Sequence, residues 1–199
     1  MPEALEGLNG DARDRSLLAA SAAGDRDAFG ELVGRHRASV FRLARTLARD
    51  ADAAEDVLQQ TFLSAWRASR QFRGDASVRT WLLTIARHQA LARRRSLARE
   101  PIDPTPLDEL GIRAGWGGPN PEQLASLAEE RDRLKAAFAR LSSGDQEMLT
   151  LRDLEGLSGE EAAAIAGLTV AAMKSRLHRA RMALAAQMKE DAAHAARRP

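Results

Sequence analysis

Five prolines and four glycines fall between residues 98 and 122: Pro101, Pro104, Pro106, Gly111, Gly115, Gly117, Gly118, Pro119 and Pro121. Proline removes backbone donors and glycine raises the entropy lost on folding, so this stretch reads as a linker that divides the chain in two. Its acids, Glu100, Asp103, Asp108 and Glu109, either keep it off phosphate or let it mimic nucleic acid in a basic channel. The expected order is a flexible leader (1–15), a first helical unit (16–97), the linker (98–122), a second helical unit (123–190) and a tail (191–199). Each unit is small enough to need most of its apolar side chains inside.

Helix is the expected element throughout. Aromatics are 4% of the 199 residues and Tyr is absent, so the interior is built from Leu, Ala, Val and Ile. In the first unit, Asp27 is expected to cap a helix reaching about Leu47, with room for a bend at Arg37 to Ser39. Arg35, His36, Arg37, Arg42, Arg45 and Arg49 should project from it. A second helix runs from about Asp52 to Ser69, and Phe72 to Ala76 form a loop. Ser77 caps a third helix, Val78 to about Leu97, with Val78, Trp81, Leu82, Ile85, Gln89 and Ala92 as its packed stripe. Thr84, Arg87, Leu91 and Arg94 point the other way, with His88 and Arg95 on a flank.

The second unit opens with a helix from Pro121 to Arg140 and a short one capped by Ser142 or Ser143, with Met148, Leu151, Leu154 and Ile165 expected in the core. It ends in a helical pair over Gly156 to Gln187. Ser158 and Glu161 form the S-x-x-E capping pattern, Gly167 stops the first helix, and Thr169 caps the next. Val170, Met173, Leu177 and Leu184 share one face of that last helix; Ala171, Ala172, Ser175 and Arg179 lie opposite, flanked by Lys174, Arg176 and His178. Small residues that permit close approach, cations around them and a short glycine turn describe a helix-turn-helix reading a major groove. The fold class is therefore all-α: two small helical domains, the second ending in a helix-turn-helix.

Net charge is only +2, but it is unevenly spread. Residues 26–99 hold fifteen arginines against seven acids, whereas residues 100–170 hold six cations against fourteen acids. From Lys174 to Lys189 every ionised side chain is Lys or Arg, and no acid lies between Asp75 and Glu100. Two basic surfaces around an acidic middle point to two nucleic-acid contacts. A basic helix beside the loop containing Phe72 suits an opened strand, with cations for phosphates and a ring for an unstacked base.

Cys is absent, which excludes disulfides and thiolate chemistry. The histidines at 36, 88, 178 and 194 lack zinc-ligand spacing, and there is no phosphate-cradling glycine loop, so no catalytic residue, metal or cofactor is expected. Without a membrane-length apolar run or a signal peptide, a cytoplasmic location with no membrane insertion is expected.

Several stretches, in order, resemble the extracytoplasmic-function group of bacterial RNA polymerase sigma factors, over roughly Leu17 to Met188. Asp52-Ala53-Ala54-Glu55-Asp56-Val57-Leu58-Gln59-Gln60-Thr61-Phe62 is similar to the core-polymerase-binding helix. Phe72-Arg73-Gly74-Asp75 with Thr80-Trp81-Leu82 resembles the promoter-melting segment. Gly156-Leu157-Ser158 with Glu160-Glu161, then Lys174 to Arg181, resembles the domain that reads the minus-thirty-five element. The resemblance implies that Asp52, Asp56, Gln59 and Gln60 meet the coiled coil of the large polymerase subunit. It assigns Phe72, Arg73, Gly74, Asp75, Ser77, Trp81, Arg87, His88, Arg94 and Arg95 to the minus-ten element and its non-template single strand. It assigns Thr169, Ala171, Ala172, Lys174, Ser175, Arg176, His178 and Arg179 to the minus-thirty-five duplex. It further implies contact with the polymerase flap and restraint by an anti-sigma factor. Gln60, His88, Ala92 and the run Ala171-Ala172-Met173 depart from the residues usual in the group. The alternative is a stand-alone helix-turn-helix regulator that binds operator DNA without polymerase.

Overall fold

The structure is a computed structural model that describes residues 2–48, 50–96 and 121–195, with side chains described for 10–48, 50–95 and 129–191. The expected linker, apart from its last residues, and the end of the tail (196–199) lie outside these residues.

The described residues are helical without strands: α1 (Pro2–Ala22), α2 (Arg26–Leu47), α3 (Ala51–Ala68), α4 (Val78–Ser96), α5 (Pro121–Ala139), α6 (Ser143–Leu149), α7 (Gly159–Ala166) and α8 (Val170–Ala195). Helix α2 lies at the centre of the first unit and packs against α1, α3 and α4. Leu32, Val40, Leu43, Val57, Phe62 and Leu82 fill the space between them. Each such side chain is worth about 1.5–3 kcal/mol on burial. In the second unit α6, α7 and the N-terminal part of α8 close over Met148, Leu151, Ile165, Met173 and Leu177. The two units touch, and their apolar interiors are continuous: α2 meets α6, and α4 meets α7.

Local signals set the helix ends. Asp50 caps α3 through the Ala53 amide, and Ser142 caps α6 through that of Asp145. The Ser158–Glu161 capping box is present. Gly167 has φ 64°, a left-handed conformation that a side chain would strain, and Thr169 then accepts from the Ala172 amide at 3.2 Å.

Several expectations are corrected. Asp25, rather than Asp27, caps α2, accepting from the Asp27 and Ala28 amides. Helix α2 is continuous through Arg37 to Ser39. The expected flexible leader is helical from Pro2, and Asp14 is buried because it accepts from Arg35 at 2.5 Å and pairs with His36 at 2.8 Å. His36 and Arg45 are buried rather than projecting, since α2 is covered on several sides. Leu154 and Val170 are exposed, and Ala180 takes the inward position. On α4 the buried residues are Val78, Thr80, Leu82, Leu83, Ala86 and Ala90, while Ala92 is exposed. The second unit covers the neighbouring stripe of α4, which rotates the buried face away from the expected one.

Candidate nucleic-acid and polymerase interface

Three surfaces carry the residues singled out from sequence. The first is on α3, where Asp52, Gln59 and Gln60 are exposed and Asp56 is half-buried. Helical spacing puts Asp52, Asp56, Gln59 and Leu63 along one crest. The Asp56 carboxylate accepts from Arg93 of α4 at 2.6 Å, and Gln60 lies beside that pair. On the other flank, Gln59 borders an apolar groove between α2 and α3, lined also by Phe29, Val33, Leu58, Leu63 and Trp66. Phe29 packs edge-on to Trp66 at 5.0 Å, which shapes the floor, while Leu63 remains 47% exposed. The groove was not legible from α3 alone, because its far wall comes from α2.

The second surface is the loop after α3 together with α4. A single 3₁₀ turn, Ser69–Gln71, leads into it. Arg73 and Asp75 are exposed, whereas Phe72, Gly74 and Ala76 are turned partly inward. The Phe72 ring lies 5.2 Å from that of Trp81. Ser77 caps α4, accepting from the Thr80 amide at 3.1 Å. His88 and Arg95 are exposed on α4.

Arg79, Arg87 and Arg94, in contrast, face the second unit. Arg87 donates to the buried Glu147 of α6 at 2.5 Å, and Arg94 approaches the Ser143 hydroxyl at 3.4 Å. Burial pushes the Glu147 carboxyl above its usual range, although the Arg87 guanidinium acts to lower it. A π-helical turn, Thr150–Leu154, follows α6 and delivers Glu155 into the same seam. Its side chain is 1% exposed and accepts from Ser39, Arg42 and Arg79. Burial pushes Glu155 upward, but those donors together hold it below the ordinary carboxylate value. Thr80 donates to Glu161 of the capping box at 2.8 Å, and Thr46 and Thr150 share a hydrogen bond at 3.0 Å. Glu147 and Glu155 had no sequence signal as partners of α4. Only the packing of the two units brings them together.

The third surface is the helix-turn-helix of α7 and α8. Thr169, just before α8, and Ala171, Ala172, Lys174, Ser175, His178 and Arg179 along its N-terminal half are all exposed. Arg176 is half-buried and turns back toward Gly144 at the start of α6. Arg181 is tied to Asp153 at 2.5 Å. Two alanines and a serine thus front a surface whose cations, Lys174 and Arg179, have no ion-pair partner among the described residues. That arrangement suits a helix laid against duplex phosphates and base edges.

Among the described residues no cluster of His, Asp or Glu could hold a metal, and no helix is long and apolar enough to cross a membrane.

Residues 32–100 match the family model of sigma-70 region 2, and residues 131–184 match that of sigma-70 region 4. RNA polymerase sigma factor CnrH of Cupriavidus metallidurans is 34% identical over 188 residues, which cover 92% of this chain and 98% of CnrH. The extracytoplasmic-function sigma factor SigM of Mycobacterium tuberculosis is 35% identical over 86% of this chain and 83% of its own. CnrH in complex with the cytosolic domain of CnrY superposes with a TM-score of 0.62 at 30% identity, covering 90% of this chain and 99% of that one. The sigma factor RpoE of Bartonella quintana, in complex with the anti-sigma factor NepR, gives the same TM-score and identity over 81% of this chain and 96% of its own. The chain therefore belongs to the sigma-70 family of RNA polymerase sigma factors, in its extracytoplasmic-function group.

Proposed function

We propose that this sigma factor recruits core polymerase through the crest of α3 and the adjoining groove, opens the minus-ten region with the 72–77 loop and α4, and reads the minus-thirty-five duplex with α8. The observation that carries this division of labour is the contrast in exposure along one chain. Lys174 and Arg179 stand clear on a small-residue surface, as duplex reading needs, while Phe72 sits beside a helix rich in arginine, as strand capture needs.

Asp52, Asp56, Gln59 and Gln60 offer acceptors and amides to a cationic partner, and Leu58, Leu63 and Trp66 offer it an apolar seat. An amphipathic helix of the large polymerase subunit's coiled coil has the matching chemistry. The flap of that enzyme is a second proposed contact, for the minus-thirty-five-reading domain. Chemistry stays with the polymerase. CnrH and RpoE are solved with CnrY and with the anti-sigma factor NepR, which supports an anti-sigma partner for this chain as well.

Footprinting with reconstituted holoenzyme tests the assignment. Arg179→Ala should weaken protection at minus thirty-five, and changes at Arg87 or His88 should impair opening more than duplex binding. Unchanged protection and opening in all three would overturn it.

A further inference from the structure

The first helix reaches the loop that this reading places on the opened strand. Arg15 donates from Nη1 to the Gly74 carbonyl at 3.2 Å and from Nη2 to the Ala76 carbonyl at 2.9 Å. The same guanidinium lies 5.6 Å from the centre of the Phe72 ring, which has Trp81 as a second aromatic neighbour. Its Nε donates to Asp11 Oδ2 at 2.7 Å, and Asp11 Oδ1 accepts from the Val78 amide at 3.0 Å, in the first turn of α4. Asp11 and Arg15, one turn apart on α1, therefore fasten both the loop carbonyls and the start of the helix that follows. Gly74 has φ 79°, and a Cβ there would stand 2.7 Å from Arg15 Nη1. The close approach is possible because the residue is glycine.

We propose that Arg15, held by Asp11, is a positioning residue for promoter opening: it fixes the 72–77 loop so that Arg73 and Asp75 face outward and Phe72 is held ready beside Trp81. The proposal rests on the assignment of this loop to the opened strand. It needs the planar fork of Arg15. One guanidinium spans two carbonyls and lies near a ring while a carboxylate holds its Nε, whereas a Lys ammonium supplies the charge without that geometry. Arg15 touches no reacting atom; it acts through the loop.

The test uses full-length chain with core polymerase on a promoter carrying 2-aminopurine in the minus-ten non-template strand. At saturating holoenzyme, Arg15→Ala should slow the fluorescence rise by about tenfold, as loss of preorganisation requires, and Arg15→Lys should not rescue it. Polymerase association and minus-thirty-five protection should match the unsubstituted chain. Arg13→Ala, on the same helix but paired with Glu31, is the control and should open normally. Opening by Arg15→Ala at the normal rate, rescue by Arg15→Lys, or a parallel loss of polymerase association would each overturn the proposal. Hydrogen exchange on the free chain separates it from the functional reading. Arg15→Ala should speed exchange at residues 73–78 and leave α3 and α8 unchanged. If the unsubstituted holoenzyme fails to open DNA, the functional reading fails, while the exchange result alone decides whether Arg15 orders the loop.

Discussion

Helices α4 and α8 are both rich in cations, yet the fold disposes of those cations in opposite ways. On α8, Lys174 and Arg179 point into solvent from a surface of Ala171, Ala172 and Ser175. On α4, Arg79 and Arg87 are engaged by Glu155 and Glu147, two buried carboxylates of the second unit. The difference is one of availability. A duplex can approach α8 in the arrangement described, whereas a strand that needs Arg87 must displace Glu147. Under the proposed function Glu155 and Glu147 stand where phosphate would, and both belong to the acidic middle of the chain.

The comparison breaks most readily at the seam. Arg87→Ala leaves Glu147 buried without its guanidinium, and losing one member of a buried pair costs about 3–5 kcal/mol. Urea unfolding should therefore show a large loss for Arg87→Ala and a change within about 0.5 kcal/mol for the exposed Arg179→Ala. Equal stability losses would mean that the two helices do not differ as described. Glu155→Gln keeps the shape but removes the charge facing Arg42 and Arg79. In small-angle scattering the free chain should expand while its helicity stays constant.

On the exposed side the expected effects are smaller and appear in binding. Arg179→Ala should weaken minus-thirty-five binding by about 1–3 kcal/mol if it meets a base edge. Lys174→Ala should instead lower affinity across sequences and reduce the salt slope by about one. Titration against promoter and scrambled duplexes distinguishes the two.

The smallest effect is expected in pH dependence. Burial lowers the His36 pKa below its ordinary 6.5, so its contribution to stability is present above pH 6.5 and is lost as pH falls toward the folded value. Glu155 is also lowered, from 4.5, so its contribution persists through that window and is lost only below it. The unfolding midpoint should thus decline in two separate stages on acidification, and His36→Gln should remove the first. A single stage beginning below pH 4.5 would contradict the role given to His36.

Much of the molecule was legible residue by residue where a signal is local. The Ser158–Glu161 box, the Gly167 turn, the Thr169 cap and the Ser77 cap each depend on a few consecutive side chains, and all occur in the structure. The surface of α8 was legible for the same reason. What escaped depends on distant contacts. The buried stripe of α4 is rotated because α6 and α7 cover one side of it, and Glu147 lies sixty residues from its partner Arg87. Asp11 and Arg15 fall in the stretch expected to be a flexible leader, because nothing near them in sequence shows that they meet residues 74, 76 and 78. The groove beside Gln59 needs a wall from α2.

Run-off transcription with core polymerase on genomic fragments, followed by start-site mapping, tests the sigma assignment most directly. Adding the chain should produce transcripts with one defined start downstream of a bipartite promoter, and Arg179→Ala and Arg87→Ala should each diminish them. Absence of any discrete start, with duplex binding by the second unit intact, would contradict the assignment and favour a regulator that works without polymerase.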